Sequence, residues 1–465
     1  MKGNILMLAE ENEKVFSKNN LTRRQQLEMV VRLSMPAILA QLSTVVMQYI
    51  DTAMVGSLGA NATASIGLIT TTVYLTNGFC TAAYTGFSVQ IAHAVGAGDL
   101  PRARSLFRQS LLCTWLLSLL LSVFCMAISG VLPVWLAGDE AIRADASGYF
   151  LIYSAAIPFL QLNLMAGAAI QCSGNMKLPG IVNTAMCVLD VIFNAVFIFL
   201  FNMGVQGAAA GTALAQLCAA LFLVIYGCFF SDKLNIRRFK GKWLLKDDMR
   251  RAMKISFPVA CEEFIMCGTF IITTRILAPY GAVNVAAYSL VSTAEGICYM
   301  PGFGIGIAAT TLIGQSLGAG NKRLARQFGN LIILFGTAVM SGIAAIFFFS
   351  APFVFSMLTN DPEVYRLGVL SLQIELFAEP LFAVQLVTSG IFRGAGDTLP
   401  AAVINAVSMW GLRLLLIFLL IEKYEVVGVW LSVCVELCIR GFVYLLYYRR
   451  GLWLDKKWKG KKETL

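Results

Sequence analysis

The sequence predicts an all-α polytopic membrane protein, with 12 transmembrane helices in two parallel-repeat six-helix lobes around a central cavity. Three observations predict it. Hydrophobic residues make up 58% of the 465-residue chain and charged residues only 13%, where a soluble domain carries about a quarter. Apolar stretches long enough to cross the bilayer recur along the whole chain. The two halves also share a fixed spacing of scaffold residues.

Crossing about 30 Å of hydrocarbon takes about twenty residues per helix. Six such spans fall near residues 30–54, 62–94, 106–136, 147–171, 179–202 and 206–230. A polar, basic linker over residues 231–254 separates them from six more, near 255–279, 285–317, 327–358, 367–392, 399–421 and 426–448. The predicted organisation is a cytoplasmic segment (1–26), an N-lobe (27–230), the cytoplasmic linker, a C-lobe (255–448) and a basic cytoplasmic tail (449–465). Residues 1–26 are polar and mixed in charge, unlike a signal peptide, so the first span is expected to act as an uncleaved insertion signal.

The loops give the orientation. Arg102, Arg104, Lys177, Arg237, Arg238, Lys322, Arg323, Arg326 and Arg393 fall in alternate loops, assigned to the inside. The opposite loops hold Arg143, Arg366 and Lys423 beside Asp139, Glu140, Asp361 and Glu363. Positive residues stay on the cytoplasmic side, which puts both termini there in a cell (inner) membrane. The net charge of +10 is placed in loops and termini, the tail lysines Lys456, Lys457, Lys459, Lys461 and Lys462 included. It therefore suits anionic headgroups rather than nucleic acid. The twelve cysteines contain no CxxC pair and read as free thiols within apolar helices.

Aligning the halves gives the most informative signal. Pro36 recurs as Pro258, an offset of 258 − 36 = 222. At that offset Gly59-Ala60 becomes Gly281-Ala282, and Gly96-Ala97-Gly98 becomes Gly318-Ala319-Gly320. Pro158 matches Pro380, Gly174 matches Gly396 and Asn183 matches Asn405. Six spans separate each pair, an even number, so the repeats are parallel and related by an axis along the membrane normal. Such a duplication favours a central cavity and alternating access.

The first span reads MPAILAQLSTVVMQYIDTAMVGSLGANATAS and the second ends VQIAHAVGAGDLPRAR. The second half carries MPGFGIGIAATTLIGQSLGAGNKRLAR and SGIFRGAGDTLPAAVIN. These segments resemble the multidrug and toxic compound extrusion (MATE) transporters over nearly the whole chain after residue 27. The resemblance implies a monomeric two-lobe antiporter that exports small amphipathic or cationic compounds while H⁺ or Na⁺ runs inward. No other cofactor is implied. A lipid-linked precursor flippase of the same wider superfamily is the alternative, and an Arg-rich cavity would favour it. A membrane enzyme would need a nucleophile–base or His-metal constellation, and the chain has a single histidine, His93.

Carboxylates inside a bilayer cost at least about 2.5 kcal/mol each unless solvated or paired, so each acid in a span needs a reason. Span 1 holds Asp51, with Thr44 at i−7 and Gln48 at i−3. Span 5 holds Asp190, with Asn183 at i−7 and Asn194 at i+4. Each set forms one polar helix face, expected to line a wet cavity. Thr212 on span 6 is a further candidate. Asp51 and Asp190 also match the acidic N-lobe positions of proton-coupled MATE proteins, although Met186 stands where that pattern often has Asn.

The C-half carries different acids: Glu262, Glu263, Glu295, Glu375, Glu379 and Glu436. The resemblance makes Glu262 or Glu263 and Glu379 the candidates for a Na⁺ site. The scaffold repeats, but the charges do not. At the 222 offset Asp51 faces Thr273, Asp190 faces Leu412, Glu262 faces Ala40, Glu295 faces Val73 and Glu379 faces Ile157. Shared glycines and prolines read as fold, and unshared acids as function, with Arg275 and Arg413 as counter-ions that could hold some acids in structural pairs.

Overall fold

The structure, a computed structural model, describes residues 21–238 and 245–455, and every regular element among them is helical. Most of the segment 1–26, part of the linker and the tail lysines from Lys456 onward lie outside the described residues.

Among the described residues nine helices are long and apolar enough to cross a membrane, or ten when the bent pair Pro362–Leu376 and Glu379–Ala395 counts as one span. Two more spans escape a test based on length and hydropathy. Helix Ala60–Gly96 has 37 residues, about 55 Å at 1.5 Å per residue, but it is rich in threonine. The 53-residue stretch Thr398–Arg450 is two helices, because Glu425 takes φ 48° and ψ −128° and turns the chain back. Tyr444 Oη donates to Asn405 Oδ1 at 3.0 Å, and Arg413 meets Glu436 at 2.6 Å. Residues 398–424 and 426–450 thus form an antiparallel hairpin, spans 11 and 12, and the total is twelve.

In the first half span 4 packs on spans 2, 3 and 6, and span 5 on spans 1 and 6; in the second, span 10 packs on spans 8, 9 and 12, and span 11 on spans 7 and 12. The repeat extends to backbone conformation. Gly59 and Gly281 open spans 2 and 8 at φ 113° and 100°. Gly98 and Gly320 turn at 71° and 77°, and Gly174 and Gly396 at 99° and 72°. A side chain is strained in that region, so the repeated glycines mark turns that both halves need. Asp99 and Asn321, also 222 apart, each cap the helix that follows.

One span breaks the symmetry. Span 10, predicted as one helix, bends by 57° between Leu376 and Glu379. Span 4 carries Pro158 at the position equivalent to Pro380, yet Glu140–Cys172 continues through it. The missing proline N–H is therefore not sufficient to bend a span here. The two lobes meet where span 1 packs on span 8, span 2 on span 7, and span 2 on span 8.

Candidate functional site

Two polar centres lie inside the helices, one in each lobe. In the N-lobe, span 1 supplies Asp51 and span 5 supplies Asp190 and Asn194 one turn apart. The Asn194 amide donates to Asp51 Oδ1 at 2.9 Å and to Asp190 Oδ2 at 3.0 Å. Asp190 and Asn194 are each 1% exposed, while Asp51 is only partly buried. Span 6 makes room for this bridge, since a Cβ on Gly211 would sit 2.1 Å from Asn194 Oδ1. Thr212, the next residue, stands beside Asp190. Met47, Met186 and Cys187 pack with Ala215 and Ala219 as an apolar layer next to it.

The structure thus brings together Asp51, Asp190, Asn194 and Thr212. It leaves the rest of the predicted stripes apart. Thr44 donates to its own helix at Ala40 O, at 3.1 Å. Gln48 is exposed. Asn183 is half-buried and makes no hydrogen bond to the aspartates. Helical spacing put these residues on one face, but Thr44 and Asn183 stand two turns away, about 10 Å along the helix, and Gln48, one turn from Asp51, is turned outward.

The C-lobe centre surrounds a cavity of about 460 Å³ lined by spans 7, 8, 10, 11 and 12, with spans 2 and 4 completing the wall. The cavity therefore sits mainly in the second lobe, whereas the sequence suggested a central one, and Asp51 and Asp190 do not line it. Tyr288, Tyr299, Phe270, Phe303 and Trp430 give it an aromatic wall, into which Glu262, Glu263 and Glu295 are set.

Two networks hold the acids. Asn405 donates to Glu262 Oε1 at 2.6 Å, and Arg393 lies 3.5 Å from Glu262 Oε2. Glu436, fully buried, takes both Nε and Nη2 of Arg413, at 3.1 and 2.6 Å, and Arg440 at 3.2 Å. Ser408 adds a further hydrogen bond. Ser408 and Arg413 both come from the π-helical stretch Val407–Arg413, and such bulges cluster at functional sites. Arg413 is thus a structural partner as the sequence allowed, while Arg275 forms no ion pair among the described residues.

Glu375 and Glu379 differ from these. They flank the bend of span 10, both are 0% exposed, and none of their four carboxyl oxygens has a hydrogen-bond partner among the described residues. Glu295, Glu379 and Arg413 are the charged side chains that act on Glu375. Of the pair in the Na⁺ expectation, Glu262 is held by Asn405 and Arg393, whereas Glu379 has no hydrogen-bond partner among the described residues. Glu263 packs against Gly78 of span 2, where a Cβ would come within 2.8 Å of it. Arg393, Asn405, Ser408, Arg440 and Tyr444 were not singled out as site residues in the sequence. For Arg440 a signal existed, its i+4 spacing from Glu436; for the others only the fold reveals the partner.

Comparison with known proteins gives the family and matches the fold. The MatE family model matches residues 36–196 and again 258–419, so the duplicated unit begins at Pro36 and Pro258. The chain is 26% identical over 451 residues to a probable multidrug resistance protein NorM of Thermotoga maritima, covering 94% of this chain and 96% of that protein. It is 25% identical over 445 residues to the multidrug and toxin extrusion protein 2 of Mus musculus, covering 92% and 75%. The fold matches the Vibrio cholerae MATE transporter VcmN in its bent form, with TM-score 0.85 at 20% identity over 92% of this chain and 98% of that one. It also matches a MOP superfamily transporter from Pyrococcus furiosus, with TM-score 0.87 at 18% identity over 95% and 100%. With the family model matched in both halves over most of its length, the chain belongs to the MatE family and is a polytopic membrane transporter, not an enzyme.

Proposed function

We propose that this transporter is a proton-coupled antiporter that exports small amphipathic or cationic compounds by alternating access. It works in the cell membrane with both termini in the cytoplasm. The observation that carries the coupling is the Asn194 amide holding Asp51 and Asp190 from two different helices. Two carboxylates on one amide repel each other, and a proton arriving on either removes that repulsion. Asp51, the partly exposed member, is the entry point, and buried Asp190 is the store. Protonation therefore changes how strongly span 1 is held to span 5.

The proton is favoured over Na⁺ because a single proton relieves two carboxylates that share one amide donor. A hard cation needs several oxygens arranged around it, whereas the two Asn194 N–H groups already take one oxygen of each aspartate. The aromatic wall supports the substrate class, since aromatic faces attract organic cations. The arginines that share the lining are held by acids, Arg393 by Glu262 and Arg413 and Arg440 by Glu436, which leaves Glu263 and Glu295 without an ion-pair partner among the described residues. The drug-resistance and toxin-extrusion names of the relatives favour such substrates over a lipid-linked precursor. Since the cavity lies away from Asp51 and Asp190, coupling runs through movement of the lobes rather than through direct competition for the aspartates.

The test is transport of a fluorescent organic cation in proteoliposomes under an imposed pH gradient, and separately under an imposed Na⁺ gradient. Efflux should follow the pH gradient and ignore Na⁺. Transport driven by Na⁺ alone would refute the proton reading and return attention to Glu262 and Glu379.

A further inference from the structure

Where spans 2 and 8 cross, the repeat produces pairs of contacts that match each other residue for residue. His93 Nε2 bonds to Gly394 O at 2.8 Å, joining span 2 to span 10. Gln315 Nε2 donates to Cys172 O at 2.8 Å, joining span 8 to span 4. These are one contact seen twice, since 315 − 93 = 222 and 394 − 172 = 222. The main chains also touch symmetrically. A Cβ on Gly96 would lie 2.1 Å from Gln315 O, and one on Gly318 would lie 2.2 Å from His93 O. Again 318 − 96 = 222.

This crossing lies directly below the cavity. Ser88, Cys172, Thr310 and Arg393 line the cavity, and each is within about five residues of a member of the crossing. Gln26 of span 1 and Gln327 of span 9 meet on the same side at 2.9 Å, and so do Lys322 and Asp455 at 2.7 Å. The seal is therefore on the side where the described chain begins and ends.

We infer that His93 and Gln315 are positioning residues of a two-fold lock that closes the cavity on the side of the termini, with Gly96 and Gly318 as its contact points. Each lobe contributes one side-chain donor and one helix-end carbonyl, so the lock couples both lobes in one step. Because both donors reach backbone carbonyls, no counter-charge has to be desolvated when the lock opens and recloses. The two polar arms part together when the lobes rock, while the glycines permit the close approach that excludes water. This inference rests on the alternating-access reading but not on which cation drives it.

The experiment is hydrogen–deuterium exchange of the full chain in lipid nanodiscs without any gradient or substrate. The double variant His93→Ala with Gln315→Ala should speed exchange of backbone amides around 93–98, 172–176, 315–320 and 394–397 by about tenfold or more, the scale of losing two buried hydrogen bonds. His93→Gln, which puts the span 8 donor on both arms, should keep wild-type protection. Gly318→Ala, which forces a methyl against His93 O, should speed exchange at the same four sites and serves if the double variant does not fold. Unchanged exchange at these sites in Gly318→Ala, or His93→Gln as unprotected as the double variant, would overturn the lock. Because no ion gradient is imposed, a failure here is distinguishable from a failure of proton coupling.

Discussion

Asn194 shows how much one side chain decides. Its amide links Asp51 of span 1 to Asp190 of span 5, and Gly211 is the residue that lets it fit. Gly211→Ala should therefore push Asn194 aside, with an overpacking cost of about 1–3 kcal/mol. It should lower proton-driven efflux more than substrate binding, measured by efflux rate against equilibrium dye binding. At Glu436 the opposite logic holds. Removing one partner of a buried pair costs about 3–5 kcal/mol, and Arg440 stays in contact, so Arg413→Ala should fall at the low end of that range in thermal unfolding. Arg413→Met combined with Glu436→Leu and Arg440→Met should recover much of the loss, because no buried charge of the triad is left unmatched. A triple variant less stable than Arg413→Ala would contradict that pairing.

Among the elements, span 10 stands apart. Its equivalent, span 4, runs straight through Pro158 with Tyr153 and Ile157 where span 10 has Glu375 and Glu379. Three glutamates, Glu295, Glu375 and Glu379, then share one buried neighbourhood at a bend. Glu375→Gln with Glu379→Gln removes two like charges from it, and the melting temperature in detergent should rise at neutral pH. At acidic pH, where wild-type carboxyls carry protons as well, the gap between variant and wild type should shrink. A variant that melts below wild type at neutral pH would show that the carboxylates are held by favourable contacts instead. This element also marks where sequence reasoning stopped. Periodicity showed an apolar span, but the 57° bend between Leu376 and Glu379 leaves no local signature, since the equivalent Pro158 sits in a continuous helix. The same holds for Thr44 and Asn183, which share a helical face with the aspartates yet are too far along the helix to reach them, and for Gln48, which is near enough but exposed.

For the whole molecule, duplication was the legible part. Pro36 and Pro258, and the glycine pairs at 59/281, 98/320 and 174/396, were visible as a constant offset, and each glycine pair proved to be a turn with positive φ. What the offset could not reveal is that the two lobes carry different polar centres. The cavity belongs mostly to the second lobe, and the bridged aspartates belong to the first. Such long-range placement depends on which helices cross, and no single helix encodes it. If the lobes are coupled as proposed, a defect at Asp190 must be felt in a cavity it does not line. The most direct measurement is efflux of an organic cation from proteoliposomes under a fixed pH gradient, comparing wild type with Asp190→Asn at matched protein and equal dye binding. The account predicts that Asp190→Asn binds the dye but loses proton-driven efflux. Efflux from Asp190→Asn at the wild-type rate would contradict it.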